Sequence, residues 1–401
     1  MTIKGRNETA SSRIRLGMVG GGEGAFIGGV HRMAARLDDQ YVLVAGALSA
    51  SPEKAARSGE ALGLDPARSY TDYREMAKRE ARRKDGIEAV AIVTPNHMHA
   101  PVAEAFLKAG IHIICDKPLT TTVKAAKKLA ALAEKSGKVF ALTHNYTGYP
   151  MVRQAREMVA SGLLGDIRVV NVEHAQDWLT EKLEDSGQKQ AAWRSDPAQS
   201  GFGGAIGDIG THAYNLAGFI SGLDLKELCA DLSSFVPGRR LDDNCNILLR
   251  FTNGARGMLW ASQVAPGNEN GLHIRVYGSK GGLEWFQEHP NQLLWSPFGE
   301  PTRTITRGGH GAGAAAARMT RIPAGHPEGY LEGFASIYGE AAKAIRAART
   351  GEVLDGEVMF PTIQDGVKGV EFIEAAVRSS GKGGVWVGMS GGYINTRIYL
   401  F

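Results

Sequence analysis

Between residues 14 and 142 short apolar runs alternate with helical ones, and this alternation constrains the fold more than any other feature of the chain. The apolar runs are residues 14–19, 41–48, 69–71, 89–93, 111–115 and 139–142. Helical patterns fill the gaps at 31–37, 52–62, 72–83, 101–109 and 123–136. The runs are apolar on both faces, as in strands covered from both sides. Neighbouring parallel strands need a crossover of a dozen or more residues, usually a helix. The pattern therefore predicts a doubly wound parallel sheet. Ser51 before Pro52 marks one helix start, a polar cap followed by proline at the first helical position.

Past residue 147 the texture changes. A helix is expected over 151–161, then a strand over 167–175, a long polar segment over 178–200 and a glycine-rich turn into a helix over 209–220. Strand-like runs follow at 228–235, 244–251, 256–265, 271–278, 282–285, 292–296 and 302–306, separated by short turns. Such a series predicts a large, mostly antiparallel sheet in an α+β unit. Residues 307–325 read as a loop, and 328–348 and 361–379 as helices. The expected division is a doubly wound α/β domain over 13–146, an α+β domain over 147–390 and an irregular tail over 391–401.

At 401 residues the chain has room for two or three domains of about 150 residues. Its formal charge of +4 has no dominant basic block, which argues against nucleic acid as a partner. Cys115, Cys229 and Cys245 lie far apart, as reduced thiols of a cytoplasmic protein would. No apolar run reaches the ~18 residues of a membrane span, and residues 1–12 are too polar for a secretory signal. The pair His97/His99 has metal-like spacing but no third ligand nearby in sequence, so no metal is expected.

The first strand runs into Gly20-Gly21-Gly22-Glu23-Gly24-Ala25-Phe26-Ile27-Gly28, between a strand and a helix, where a dinucleotide fingerprint belongs. Glycines there let backbone amides approach a pyrophosphate at a helix start. Gly20 and Gly22 fit G-x-G-x-x-G, but Ala25 fills the third slot; Gly28 supplies that glycine if three residues are inserted. Gly24, Phe26 and Ile27 complete the expected contact run. The second strand ends at Ser49 and Ser51 without the acidic residue that binds a ribose 2′-hydroxyl, and Lys54 and Arg57 lie close by. NAD and NADP both remain open. Thr94, Pro95, Asn96 and His99 follow the fourth expected strand, at the crevice mouth, and are expected to contact the cofactor. Asp116-Lys117-Pro118 follows the fifth, which points the lysine at the ligand edge of an open sheet on a proline-stiffened turn. Asp208 and His212 stand four apart, on one face if the segment is helical. A carboxylate orients an imidazole and stabilises its protonated form.

Taken together, the glycine loop with His31, Thr94-Pro95-Asn96 with His99, Asp116-Lys117-Pro118, His144-Asn145-Tyr146, Leu164-Gly165 and Gly207-Asp208-Ile209-Gly210-Thr211-His212 resemble the glucose-fructose oxidoreductase / inositol dehydrogenase / MocA (Gfo/Idh/MocA) family. The resemblance spans about residues 13–390. It implies a Rossmann domain and an α/β domain with a large antiparallel sheet. It also implies a nicotinamide cofactor contacted by Asp116, Lys117 and Asn145, a sugar or cyclitol substrate, and a homodimer or homotetramer. Asp116 stands where the family usually has Glu, and the glycine loop is longer than the common form.

The expected reaction moves a hydride between a secondary hydroxyl carbon of a sugar, glycoside or cyclitol and the nicotinamide. His212 takes the hydroxyl proton, Asp208 supports it, and Lys117 stabilises the developing alkoxide; the roles of His212 and Lys117 can be exchanged. Tyr146, Trp178, Trp193, Arg194 and His326 join Lys117, Asp208 and His212 as substrate contacts, indoles against sugar rings and the guanidinium on hydroxyl or anionic groups. Two other readings share these residues: a glycosidase that oxidises transiently and eliminates, and a non-catalytic cofactor-binding sensor.

Overall fold

The computed structural model describes residues 13–389, so the expected tail over 391–401 lies outside the described residues. Five parallel strands, β1 (Ile14–Gly20), β2 (Tyr41–Ala47), β3 (Ala89–Val93), β4 (His112–Cys115) and β5 (Phe140–Leu142), form a sheet in the order β2-β1-β3-β4-β5. Helices α1 (Phe26–Leu37), α2 (Pro52–Ala61), α3 (Tyr73–Glu80), α4 (His99–Lys108) and α5 (Val123–Ser136) connect them. The strand expected at 69–71 does not form. Ser69 makes a single bridge to Gly46, and Tyr70 turns its hydroxyl inward to the Glu80 carboxylate, 2.8 Å away. Helix starts follow local chemistry. Asp72 caps α3 by accepting from the amides of Arg74 and Glu75, and Thr122 caps α5 through Ala125 N–H. α1 starts five residues before its expected beginning, directly after the glycine loop.

After α6 (Pro150–Ala160), β6 (Ile167–Ala175) opens a nine-stranded sheet. The polar segment holds the short helices α7 (Lys189–Arg194) and α8 (Pro197–Ser200); α9 (Thr211–Ser221) follows a wide π-turn over Ile206–Gly210. Then come β7 (Leu225–Ser233), β8 (Asn244–Phe251), β9 (Arg256–Ser262), β10 (Gly271–Gly278), β11 (Gly281–Phe286), β12 (Gln292–Pro297) and β13 (Arg303–Thr306). The expected loop over 307–325 contains α10 (Ala314–Met319), ahead of α11 (Tyr330–Thr350), α12 (Ile363–Ser380) and β14 (Val387–Gly388). The strand order is β13-β12-β11-β10-β6-β9-β8-β7-β14, antiparallel at each junction except the parallel β6–β9 pair.

Burial alternates along these strands, as a sheet with one covered face requires. Ile247 and Leu249 point into the core while Leu248 between them is exposed. Leu248, its cross-strand partner Met258 and Tyr277 leave apolar side chains on the uncovered face.

The division at residue 146 is crossed by the last two long helices. Phe334, Tyr338 and Ala341 of α11 pack with Ile14, Leu16 and Met18 of β1, covering one face of the first sheet. On α12, Ile363, Val367 and Val370 join the core on that sheet's other face, whereas Phe372, Ile373 and Ala376 pack into the core of the second sheet. One helix thus belongs to both cores, and the crevice at the carboxyl ends of β1, β3, β4 and β5 lies beside the π-turn of the second unit.

Candidate active site

The glycine loop begins at Gly20, with φ +81°, where a Cβ would lie 2.8 Å from the Val93 carbonyl oxygen. Only glycine takes that conformation and that approach without strain. Ala25 is extended and precedes α1 without capping it through a side chain, so the first amides of α1 are free for an anion such as pyrophosphate. The close-packing glycine is Gly28: a Cβ there would come 2.3 Å from Gly21 Cα. The fingerprint therefore carries a three-residue insertion, with Gly28 in the role that Ala25 occupies by count.

A cleft of about 340 Å³ opens between this loop and α2, lined by Gly21, Gly22, Gly24, Arg32, Arg57 and Ser58 among others. Arg32 donates to the Gly21 carbonyl at 2.7 Å and steadies the loop. Arg57, considered in the sequence as a phosphate partner, pairs with Glu23 at 3.1 Å. Ser51 caps α2 and donates to Glu53 at 2.8 Å, and Ser49 accepts from Ser51 N–H at 3.2 Å. Lys54 gives its backbone amide to that cap, at 3.5 Å. Phe26 is exposed at the start of α1 and Ile27 half-buried behind it.

After β3 and β5, Thr94 Oγ1 and Asn145 Nδ2 are buried without a hydrogen-bond partner among the described residues. Buried polar atoms are nearly always satisfied, and a carboxamide such as that of nicotinamide offers the donor and acceptor these two lack. The free amides of α1 and these two orphaned atoms, at the carboxyl edge of one sheet, fit a dinucleotide. Asn96, by contrast, donates to Ser200 O at 3.0 Å and ties the Thr94-Pro95-Asn96 turn to the second unit.

His99, expected as a cofactor contact, is buried with Nδ1 2.7 Å from Pro118 O and Nε2 2.9 Å from Thr94 O. Both ring nitrogens face protein carbonyls, so it braces the Thr94 and Lys117 turns against each other. His97 is exposed, and no group of three metal-ligating side chains occurs among the described residues. Asp116 likewise turns to the protein, accepting from Lys117 N–H at 2.9 Å and Thr143 Oγ1 at 3.0 Å.

Lys117 follows β4, and its peptide bond to Pro118 is cis. Its ammonium donates to Asp208 Oδ1 at 2.7 Å and to the Asp208 carbonyl at 2.5 Å. The other carboxylate oxygen accepts from Gln263 Nε2 at 2.9 Å and lies 3.2 Å from Arg194 Nε, an ion pair without a well-directed hydrogen bond. Burial alone would push the Asp208 carboxyl up. The Lys117 and Arg194 charges, with the Lys117 and Gln263 hydrogen bonds, overcome it and hold the group well below its ordinary range.

Asp208 does not orient His212. The π-turn places Asp208 before α9 with i→i+5 bonding and breaks the i,i+4 alignment that spacing suggests. His212 instead meets His144, with the two Nδ1 atoms 3.4 Å apart and the rings edge to face. Tyr146 packs on it with centroids 4.8 Å apart, and His174 lies at 6.2 Å. Burial first, then the Lys117 charge and the neighbouring His144 and His174 imidazoles, hold His212 well below its ordinary pKa. His144 is pushed down to about 3 by burial and Lys117. The imidazole of His212 is therefore neutral and able to accept a proton, in the field of the Lys117 ammonium.

Of the expected substrate contacts, Tyr146 and Arg194 reach this cluster, and Trp178 is joined to it only through Gln176 and Gln263. Tyr146 OH accepts from Asn270 Nδ2 at 3.1 Å, and burial raises its pKa to about 12, so it remains a neutral phenol. Trp178 donates to Gln176 Oε1 at 3.0 Å, which also faces Gln263 at 3.4 Å. Trp193 lies beneath Arg194, 4.4 Å from centroid to guanidinium, and meets the cluster through it. His326 is exposed in the 307–329 connection, where its carbonyl accepts from Arg307 and its ring faces the Ala324 carbonyl rather than the cluster.

Sequence reasoning missed four supporting residues. Gln263 and Asn270 come from the second sheet's strand ends, and His174 spends both ring nitrogens on Ile209 O and Asn270 Oδ1. Asp242 accepts from Gly204 N–H at 2.6 Å and Ile206 N–H at 2.8 Å, pinning the start of the π-turn. Only the buried-looking His174 carried a signal, as a histidine in an alternating strand.

Residues 14–144 match the oxidoreductase family with an NAD-binding Rossmann fold, and residues 152–284 match the GFO/IDH/MocA C-terminal domain. The uncharacterized oxidoreductase YfiI of Bacillus subtilis (strain 168) is 39% identical over 384 residues, 94% of this chain and 97% of its own length. A solved oxidoreductase from Sinorhizobium meliloti is 60% identical with a TM-score of 0.86, covering 94% of this chain and 100% of that one. An inositol dehydrogenase homologue from Azotobacter vinelandii, solved with NADH and myo-inositol, is 39% identical with a TM-score of 0.88, covering 94% of this chain and 98% of that one. Matched in both halves, in the same order and over nearly its whole length, this chain belongs to the Gfo/Idh/MocA oxidoreductases, and its first domain is an NAD-binding Rossmann fold.

Proposed function

We propose that the protein oxidises a secondary hydroxyl of a cyclitol or sugar with NAD. One observation carries the proposal: Lys117 from the first unit meets Asp208 from the second, so an ammonium and the neutral base His212 are brought to one turn beside the orphaned Thr94 and Asn145 atoms. NAD, held by the free amides of α1 with Thr94 and Asn145, would supply the hydride acceptor. The chain's own residues manage the hydroxyl. His212 accepts its proton, and Lys117 donates to the same oxygen as negative charge develops there. Asp208 holds the ammonium in place and balances its charge. Arg194 and Tyr146 border the same space and supply a donor and an apolar ring edge for a polyhydroxylated ring. The myo-inositol complex of the Azotobacter vinelandii homologue supports a cyclitol.

NAD rather than NADP is favoured by charge. Arg57 is held by Glu23, and the Glu53 carboxylate lies beside Ser51 at the start of α2, just past β2, where it would oppose a 2′-phosphate.

Incubating the protein with a panel of cyclitols, sugars and glycosides and each cofactor, and following absorbance of the reduced nicotinamide, tests both parts. Steady NADH release with at least one polyol is expected, with NADP slower. Glycoside cleavage without net NADH release would replace the dehydrogenase with the transient-oxidation glycosidase. Cofactor binding with no turnover of any compound would leave the sensor.

The uncovered face of the nine-stranded sheet, with Leu248, Met258 and Tyr277 exposed, supports self-association through that face. Light scattering should give the mass of a dimer or tetramer; the mass of a single subunit would remove this part.

A further inference from the structure

His212 needs a lone pair on the nitrogen that meets the substrate and a partner that fixes which nitrogen this is. In acid–base pairs of this kind a carboxylate usually does the fixing. Here the nearby carboxylate is spent: Asp208 Oδ1 binds Lys117, and Oδ2 faces Gln263 and Arg194. His174 has both ring nitrogens engaged with Ile209 O and Asn270 Oδ1. Tyr146 offers His212 a ring, while its hydroxyl bonds Asn270. The hydrogen bond the structure gives His212 goes to His144, Nδ1 to Nδ1 at 3.4 Å.

The His144 backbone is held firmly. Its N–H donates to Leu142 O at 2.9 Å, and its carbonyl accepts from Thr147 N–H at 3.2 Å and Thr147 Oγ1 at 2.9 Å. A buried ring on so fixed a backbone is a preorganised partner.

We propose that His144 is a positioning residue whose Nδ1 accepts from His212 Nδ1–H, fixing His212 in the tautomer that carries its lone pair on Nε2. Two facing Nδ1 atoms share one hydrogen. If His144 supplied it, His212 would carry its own hydrogen on Nε2 and have no lone pair there. With His212 as donor, Nε2 takes the substrate proton, and the resulting imidazolium keeps its Nδ1–H bond to His144. The inference rests on the dehydrogenase reading for the direction of the bond. A neutral imidazole partner also orients His212 without the charge attraction that would favour its protonation, so the base stays unprotonated in a buried site.

The test uses the full chain labelled with 15N-histidine, as wild type, His144→Phe and His144→Asn, with His212→Asn to assign the signal. An asparagine amide oxygen can occupy the place of Nδ1 and accept the same bond; phenylalanine cannot. Wild-type His212 is expected as the neutral Nδ1–H tautomer, the less common form in solution. His144→Phe should shift it to Nε2–H and lower kcat for myo-inositol with NAD roughly 10-fold or more, at unchanged KM and NADH affinity. His144→Asn should keep the Nδ1–H tautomer and most of kcat. A wild-type His212 protonated on Nε2, or an unchanged tautomer in His144→Phe, overturns the proposal, and the wild-type spectrum decides even if His144→Phe fails to fold. Expected spectra in a protein that oxidises no polyol would sink the dehydrogenase reading and leave the tautomer assignment standing.

Discussion

Asp208 and His212 are four residues apart, yet one sits in a charged cluster and the other in a neutral one. Around Asp208 an ammonium, a guanidinium and an amide converge on a single carboxylate. Around His212 stand two imidazoles and a phenol, each held neutral by burial. A buried charge survives only when paired and hydrogen-bonded, and the first cluster meets that condition. The second meets the opposite one, in which burial and a nearby cation keep a base from protonating before substrate arrives. Polarising a hydroxyl requires a cation that stays charged, while removing its proton requires a base that stays neutral. The π-turn lets one short stretch of chain serve both clusters, by turning Asp208 toward the Rossmann crevice and His212 toward His144.

Removing the cation breaks the comparison most directly. Lys117→Met deletes the donor to the developing alkoxide and should lower kcat about 10²- to 10³-fold, with NADH affinity by fluorescence titration little changed. It also removes a positive charge that depresses both His212 and His144, so their pKa values should rise. The acid limb of the residual activity should therefore move to higher pH. An unmoved limb would mean that Lys117 and His212 do not share one field, and an unchanged kcat would remove the lysine from the reaction.

The first sheet was legible because its strands are apolar on both faces and its helices carry local caps, and both signals lie within a few residues. The 69–71 segment failed because three residues near a turn can bridge β2 without adding a ladder. Nothing local announced that α11 and α12 return to cover the first sheet, since that packing gathers Leu16 and Phe334 into one core, and Leu142 and Val367 into another, across hundreds of residues. In the site, Lys117 was readable from its place after a strand. The partnership of Asp208 with His212 was read from helical spacing, which a π-turn does not obey. His144 and His212 lie 68 residues apart and meet only in three dimensions, so their contact left no periodic trace.

The smallest expected effect sharpens the neutral side. Unfolded histidine titrates near pH 6.5, whereas folded His144 stays neutral down to about 3. Above the unfolded value both states are neutral and pH changes nothing through this group. As pH falls below it, the unfolded chain binds a proton that the folded core refuses, so stability falls by up to about 1.4 kcal/mol per pH unit for this one histidine. His31 and His112, each pushed down to about 4 by burial first, add slopes of the same sign that end nearer pH 4. Denaturant melts of wild type and His144→Asn between pH 6.5 and about 4.5 should therefore diverge. The wild type should lose stability more steeply, by about 1 kcal/mol per pH unit, while the two slopes coincide above pH 7. Parallel slopes across the whole range would mean that His144 binds its proton as readily in the folded protein as in the unfolded chain. The cluster around His212 would then hold charge, and the contrast with Asp208 would vanish.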